Sequence, residues 1–257
     1  MIGAGWIGAE LATAAAARGC RVTVVEAAST PLAAAVSAEV GAFTVPWYRA
    51  AGVDLRLGTP VEAVTADGVM LSGGEMLPAD EIVTAVGIRP ATGWLEGSGV
   101  KLDDGVAVDE GLRTSLPGVF AVGDCAAFWS RRYRRRLRVE HWDNALHAPE
   151  VAAANVVGAD GGDAVYDPVP YFWSEQFGRM VQYAGYHPAG SRLVWRGDPA
   201  GDRWAVCWLA GDMLVAVLTV DRPKDLVQAR RVISSGAAVD PDRLADPEIP
   251  VRAAAIP

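Results

Sequence analysis

The chain has 257 residues, 51% of them hydrophobic and 21% charged, and a net charge of −8. That length holds one large or two ordinary globular domains with ample core material. The acidic balance argues against general nucleic-acid binding, which needs a basic surface, and no run approaches the ~18 apolar residues that would span a membrane. The first motif comes at once. Gly3-Ala4-Gly5-Trp6-Ile7-Gly8 spells GxGxxG after only Met1 and Ile2, where a whole β-strand normally precedes it. The short lead suggests a reading frame truncated at its start. In such a motif the first glycine permits a tight turn, the second admits backbone amides to a pyrophosphate, and the third lets helix pack on sheet. A helix over 6–18 follows, its N-terminal dipole aimed at phosphates. An apolar strand over 21–25 then ends in Glu26, placed to grip a ribose 2′-hydroxyl and to repel a 2′-phosphate, which favours NAD over NADP. The run at 11–17 is alanine-rich, but it lacks a basic lead and Glu10 interrupts it, so it is not a signal peptide.

A second helix is predicted over 34–51, ending at Gly52, then a strand over 53–57. Short alternating strands at 61–65, 68–71 and 76–78 suggest an antiparallel excursion, and 81–86 reads as a buried parallel strand. Strands separated by helices of this length imply a parallel sheet with right-handed crossovers. From Gly87 the pattern changes to Pro and Gly turns, a strand over 119–122 and a helix over 144–157. From Val169 onward the chain is rich in Trp and strand-like runs at 180–185, 192–196, 204–209 and 213–220, closing on a helix over 223–234.

Pro117-Gly118-Val119-Phe120-Ala121-Val122-Gly123-Asp124-Cys125-Ala126 reads as a buried strand entering Gly-Asp at a helix start. Gly123 would let a ligand approach the backbone, and Asp124 at a strand's carboxyl end could accept hydrogen bonds from a polyol; an ordinary N-cap Asp is the competing reading. The run Arg131-Arg132-Tyr133-Arg134-Arg135-Arg136-Leu137-Arg138 stands out in an acidic chain. It reads as a solvated hairpin loop leading into a strand over 137–141, or as a docking patch for an acidic partner. His147 and His187 have no companions at metal-ligand spacing, so no metal is expected. Trp195, Trp204 and Trp208 lie in alternating patterns and read as core or sheet-face residues. Cys20, Cys125 and Cys207 form no CxxC, which fits a reducing cytoplasm, and Cys125 is expected to be inert and buried at a strand end.

The order GxGxxG, Glu26, Val86-Gly87-Ile88-Arg89-Pro90 and 119–126 resembles the two-dinucleotide flavoprotein reductases. Val139-Glu140-His141-Trp142-Asp143-Asn144-Ala145 and Pro170-Tyr171-Phe172-Trp173-Ser174-Glu175-Gln176 resemble the ferredoxin-reductase branch in particular. So do Asp221-Arg222-Pro223-Lys224-Asp225-Leu226 and Leu244-Ala245-Asp246-Pro247. The resemblance covers essentially the whole chain. It implies that Gly3, Gly5 and Gly8 hold the NAD pyrophosphate and Glu26 the adenosine ribose. Glu10 would lie near the nicotinamide carboxamide, with Ile7, Gly87 and Ile88 lining the nicotinamide slot. Gly123 and Asp124 match the flavin motif, with Asp124 on the ribityl chain. Glu140, His141 and Trp142 would flank the flavin, and Trp173 would cover the ring system, excluding water and orienting two stacked heterocycles. His141 could be a proton donor or, more simply, a packed residue. Two departures stand out. The family's first GxGxxG, for the adenine half of FAD, is absent from this sequence. Ala148-Pro149 replaces a usual Gln-Gly, with the proline expected in the first helical turn, where it is tolerated.

The expected fold is α/β: a Rossmann-like NAD-binding domain over 1–88 with its first strand missing, a partial FAD-binding domain over 89–168, and a C-terminal α+β reductase domain over 169–257. The expected function is a cytoplasmic FAD-dependent NADH:ferredoxin oxidoreductase. It would pass single electrons to a small acidic iron–sulfur protein, ferredoxin or rubredoxin, that serves an oxygenase, with no nucleic acid or membrane as partner. The alternative is an inactive fragment, or an NAD-binding subunit lacking the FAD ADP-binding half.

Overall fold

The computed structural model describes residues 1–158 and 163–256 and divides into two compact units. Unit one is Met1–Ile88 with Ser174–Val181 and Asp198–Trp204; unit two is Arg89–Trp173, Gln182–Gly197 and Ala205–Pro257. Residues 159–162 and 257, which fall in the second and third expected divisions, lie outside the described residues.

In unit one, helix α1 (Trp6–Ala17) starts directly after Gly5 and turns the small residues Gly8, Ala9 and Ala12 inward, so its backbone can lie close to the sheet. Strand β1 (Thr23–Val25) pairs in parallel with β2 (Asp54–Arg56). Ile2 takes the next position, bridging in parallel to both Val25 and Thr84. The core between α1 and this sheet is Ala4, Ala9, Ala12, Val22, Val24, Tyr48 and Val53. Strands β3 (Val61–Thr65), β4 (Gly68–Leu71) and β5 (Met76–Leu77) form the expected antiparallel excursion, packing Val69 and Leu71 with Ile2 and Val25. The Phe177 amide donates to Thr13 Oγ1 at 3.0 Å, and its ring lies 4.6 Å from that of Tyr48.

Two expectations for this unit need correction. The single helix over 34–51 is three short ones: α2 (Ala33–Val36), α3 (Ala38–Ala42) and α4 (Val45–Ala50). Ser37 breaks the first join by adopting φ 83°, and Pro46, which has no amide hydrogen to continue a preceding turn, restarts the helix at α4. The segment 81–86 is parallel but not buried. Among the described residues its backbone pairs with Ile2 (Ile2 N to Val83 O and Ala85 N to Ile2 O, both 2.8 Å), and Val83 and Val86 are exposed. One residue of neighbouring strand cannot propagate a ladder or cover its face.

In unit two, β6 (Val106–Val108) pairs in parallel with β7 (Ala126–Ser130), which pairs antiparallel with β8 (Arg135–Arg138). Helix α5 (Trp142–Val157) packs Ala148 and Ala152 into a core with Val106, Val108, Leu112, Phe128 and Tyr166. The strand expected over 119–122 is a single bridge between Phe120 and Arg113. Gly118 at φ 75° and Gly123 at φ 72° bend the chain on both sides of it, leaving no length for a ladder. The strand expected over 137–141 ends at Arg138, and α5 begins two residues before Asn144. Pro149 therefore lies in the helix interior, beyond the first turn, where it removes a backbone hydrogen bond.

The remaining strands, β9 (Tyr171–Gln176), β10 (Arg179–Gly185), β11 (Arg192–Arg196), β12 (Trp204–Ala210) and β13 (Met213–Val220), form one sheet in the order β11-β12-β13-β10-β9. In unit two, helix α6 (Pro223–Ser235) lays Leu226, Ala229, Val232 and Ile233 on β13. The sequence places the runs at 180–185, 192–196, 204–209 and 213–220 and the closing helix to within a residue. It misses β9, which it had read only as a motif.

A buried guanidinium ties the end of the chain to this sheet. Arg196 has no exposed surface. It donates to the carbonyls of Leu244, Asp246 (2.9 Å) and Ile249 (3.0 Å) and pairs at 3.4 Å with Asp225, which also meets Arg222 at 2.6 Å. Arg196→Met leaves Asp225 with Arg222 but deprives three carbonyls of their buried donor, at a cost of about 1–3 kcal/mol each. The unfolding free energy is therefore expected to fall by about 3 kcal/mol or more, seen as a lower urea midpoint at unchanged m-value.

Candidate functional site

In unit one the three glycines divide the expected labour. Gly3 takes φ +98°, and a Cβ there would sit 2.3 Å from the Ala85 carbonyl oxygen; on Gly8 it would sit 2.2 Å from the Gly3 carbonyl oxygen. Both are backbone-to-backbone contacts that no side chain can enter. Gly5 differs: it has ordinary extended geometry (φ −75°), and a Cβ would meet nothing within 4 Å. The face above Gly5 is open, and the first amides of α1 follow it with no carbonyl of a preceding turn to bond. A helix start with open space over a glycine can take a pyrophosphate.

Glu26 emerges at the end of β1 and turns back on the loop. Its Oε2 accepts from the Ala4 amide at 2.7 Å and its Oε1 from the Ala28 amide at 2.8 Å. The carboxylate therefore holds the glycine loop itself, and two of its roughly four lone-pair sites remain for a ligand. Val86 Cγ1 lies 3.5 Å from a Cβ built on Gly3, so the structure brings 85–86 beside the loop, and Gly87 (φ +96°) and Ile88 continue from there. Ile7, Glu10, Gly87 and Ile88 are all exposed.

In unit two, Gly123 takes φ +72° with open space around it and opens a 3-10 turn, Gly123–Cys125, that packs against α5. Asp124 is exposed there. Cys125 is exposed too, correcting the expectation that it is buried: the turn swings it out of the sheet before β7 begins.

The start of α5 carries three of the remaining predicted residues. Glu140 is exposed and ion-pairs with Arg138. His141, the N-cap position, has its ring 4.6 Å from Phe172. Burial pulls its pKa down to about 4, and its buried Nδ1 has no hydrogen-bond partner among the described residues. The ring is neutral near pH 7, which supports the packed reading over an imidazolium donor; the orphaned nitrogen suits a polar ligand atom. Trp142 is 66% and Trp173 44% exposed, yet their rings meet edge to face at 5.8 Å, and Tyr171 stacks on Trp173 at 5.8 Å. Two indoles left half in solvent, one at the start of the helix against which the Gly123–Cys125 turn packs and one on β9, form an apolar wall suited to a flat heterocycle. Open backbone at Gly123, an exposed carboxylate at Asp124, the orphaned imidazole nitrogen and this wall fit the isoalloxazine and ribityl end of a flavin.

The sequence reading misses Tyr166, whose hydroxyl donates to Asn144 Oδ1 at 2.8 Å while Asn144 Nδ2 donates to the Val139 carbonyl at 2.8 Å. A lone Tyr in a loop gives no sequence signal of this kind. The arginine run is the β7–β8 hairpin, as expected, but much of its charge is engaged. Arg131 pairs with Glu110, Arg136 donates to the carbonyls of Val108 and Ala127, and Arg138 pairs with Asp104 at 3.3 Å.

The depressed His141 pKa has a consequence for stability. The unfolded chain binds this proton near pH 6.5 and the folded chain only near pH 4, so the group's contribution is fully present above 6.5 and falls as pH drops from 6.5 to 4. The loss amounts to about 3 kcal/mol. The difference in unfolding free energy between the parent protein and His141→Phe, followed by urea titration at several pH values, should shrink by that amount across this window.

The pyridine nucleotide-disulphide oxidoreductase family matches residues 1–148, and a reductase C-terminal family matches residues 171–255. The chain is 40% identical to the 5,5'-dehydrodivanillate O-demethylase ferredoxin reductase subunit of Sphingobium sp. (strain NBRC 103272 / SYK-6), over 98% of this chain and 62% of that protein. The crystal structure of Fdr9 superposes with a TM-score of 0.90 at 48% identity, over 100% of this chain and 65% of that one. The reductase in the covalent putidaredoxin reductase–putidaredoxin complex does so with a TM-score of 0.90 at 33% identity, over 98% and 61%. The chain thus spans a little over three fifths of the length of the relatives it matches. The match over residues 1–148 covers more than half of the chain, which therefore belongs to the pyridine nucleotide-disulphide oxidoreductase family.

Proposed function

We propose that the chain carries the NAD-binding and flavin-contacting parts of a cytoplasmic FAD-dependent NADH:ferredoxin oxidoreductase. One NADH is oxidised to NAD⁺ and H⁺, and two iron–sulfur acceptors each gain one electron. A bound FAD would supply hydride acceptance and single-electron release, chemistry the protein side chains lack. The chain's own residues bind, orient and exclude water. Gly3, Gly5 and Gly8 with the start of α1 hold the NAD pyrophosphate, and the free lone pairs of Glu26 take the adenosine ribose hydroxyls and repel a 2′-phosphate, which favours NADH over NADPH. Ile7, Glu10, Gly87 and Ile88 flank the nicotinamide. Gly123 and Asp124 hold the ribityl end of the flavin, while Glu140, His141, Trp142 and Trp173 border its rings.

The reading divides the chain into an NAD-binding domain over 1–88, part of an FAD-binding domain over 89–168 and a reductase domain over 169–257. The single observation that carries it is the exposed Trp142–Trp173 pair, which is costly to leave in water unless a flat ring covers it. The names of the Sphingobium relative and of the putidaredoxin complex support a ferredoxin as acceptor, with a rubredoxin the other small acidic carrier of this class. Among the described residues no helix is long and apolar enough to cross a membrane.

The direct test is to purify the protein, add FAD, remove the excess and add NADH without oxygen. A retained yellow colour that NADH bleaches is expected. A colourless protein that still binds NADH would overturn the flavin reading and leave an NAD-binding fragment or subunit.

The glycine geometry gives a second test. Gly5→Ala, entering open space, should keep the melting temperature and weaken NADH binding about tenfold by obstructing the pyrophosphate. Gly8→Ala, driven into the Gly3 carbonyl, should lower the melting temperature by several degrees as well, consistent with a core overpacking cost of about 1–3 kcal/mol.

A further inference from the structure

A buried phenol in unit two faces a base. The hydroxyl of Tyr183, on β10, lies 2.6 Å from Nδ1 of His187, which follows the strand and is half-buried. Burial raises the Tyr183 pKa well above that of a free phenol and lowers that of His187. Near neutral pH the phenol therefore keeps its proton and donates, a neutral imidazole accepts, and the imidazole's own hydrogen is on Nε2. Tyr166 and Tyr133 differ. The first donates to the amide oxygen of Asn144 and the second to the Val215 carbonyl at 3.3 Å, and neither oxygen can keep a proton.

The base is itself placed to carry charge. The His187 ring stacks on the buried indole of Trp208, with centroids 4.5 Å apart and planes 17° from parallel. An imidazolium formed there would lie on an indole face, an electrostatically favourable contact. The Tyr183 ring in turn stacks on Phe172 at 5.6 Å, and Phe172 lies 4.6 Å from the ring of His141. Successive ring contacts thus join the Tyr183–His187 pair to a residue assigned to the flavin border. Packing alone does not call for the pair, since a phenylalanine would fill an aromatic cluster with no polar group to satisfy.

We propose that Tyr183 and His187 form a proton-coupled one-electron site that intercepts oxidising radicals produced when oxygen meets a reduced flavin. A phenol that loses one electron becomes a strong acid, so the step is accessible in a dry interior where a base stands within hydrogen-bond distance. A peroxyl radical, ROO•, takes the electron from the Tyr183 ring and becomes ROO⁻, which water protonates to the hydroperoxide ROOH. The phenolic proton passes to His187 Nδ1, leaving a neutral tyrosyl radical and an imidazolium. A reductant of the ascorbate class then returns one electron, releasing its own proton to solvent, and the imidazolium gives the phenol its proton back. The inference goes beyond hydride transfer and rests on the flavin reading only for the origin of the radicals.

The redox site is tested without flavin by flash photolysis of the whole chain, with photogenerated ruthenium(III) tris-bipyridine as the one-electron oxidant. Transient absorption and electron paramagnetic resonance read the product, and a long-lived tyrosyl radical is expected. Tyr183→Phe and His187→Gln should each lower its yield at least about tenfold, the second because glutamine keeps a hydrogen-bond acceptor but no base. Tyr186→Phe should change the yield less than about twofold. In the FAD-treated protein oxidising NADH in air, Tyr183→Phe should lose activity at least about twofold faster than the parent. Thermal melts check that the variants fold. Should one melt far below the parent, the parent carrying isotope-labelled histidine takes its place, and a tyrosyl signal coupled to an imidazole nitrogen is expected. A yield unchanged in Tyr183→Phe or in His187→Gln, or no such coupling, would overturn the redox site, and equal rates of inactivation would overturn its protective role. A colourless protein that still forms the Tyr183 radical would overturn the flavin reading and leave the redox site standing.

Discussion

One buried amide fixes the front of α5, and the placement of Glu140, His141 and Trp142 depends on it. Asn144 is held at both ends, donating to the Val139 carbonyl and accepting from the Tyr166 hydroxyl. Tyr166 in turn packs edge to face on Phe128 of β7 at 5.0 Å. Glu140, His141 and Trp142 are three of the four residues between Val139 and Asn144, so their backbone is pinned at both ends. Buried polar groups that satisfy each other in this way specify one arrangement, because any other leaves a donor or acceptor without a partner in a low-dielectric interior. Burial of the Tyr166 hydroxyl also pushes its pKa up, so it stays a donor throughout the working pH range.

The two units prepare their ligand surfaces by different means. In unit one the work is done by missing atoms. Gly3 and Gly8 let backbone press on backbone, and the resulting fixed loop leaves the face over Gly5 open. Glu26 then braces the loop by accepting a hydrogen bond from the Ala4 amide while a second, from the Ala28 amide, fixes the carboxylate in place. In unit two the work is done by large side chains left uncovered. Trp142 and Trp173 present an apolar edge, with Tyr171 stacked on Trp173 and the half-buried His141 and Phe172 in ring contact beside them. Unit one thus exposes hydrogen-bonding backbone and unit two exposes stacking surface.

Charge is distributed by the same logic. Arg196 is spent wholly on the chain's own carbonyls and on Asp225, and Arg136 on the carbonyls of β6 and β7. Guanidinium groups suit this because their five donors can satisfy several acceptors at once. What remains at the surface of unit two is a smaller set of cations than the count of arginines suggests. The distinction between a cation that holds the fold and one left at the surface is invisible in composition.

The glycine loop, Glu26, the antiparallel excursion and the later strands were all legible in the sequence because each rests on local rules: glycine at positions that admit no Cβ, alternation of apolar residues, an acid at a strand end. The Glu140–Trp142 and Tyr171–Trp173 segments were legible only as motifs. That the two indoles meet, and that Arg230 lies on Tyr171, depends on pairing across tens of residues that no periodicity encodes. The failures have the same origin. Residues 34–51 read as one helix because composition does not show Ser37 entering the left-handed region; 81–86 read as a buried strand because apolar runs carry no record of what covers them; Cys125 read as buried because the bend at Gly123 is a matter of φ, not of hydropathy. By itself the sequence determined the glycine loop and the family, since both are written in short-range motifs. The tertiary structure decided which polar atoms are consumed internally and which rings and charges are left facing outward, since burial is a property of neighbours brought together from distant parts of the chain.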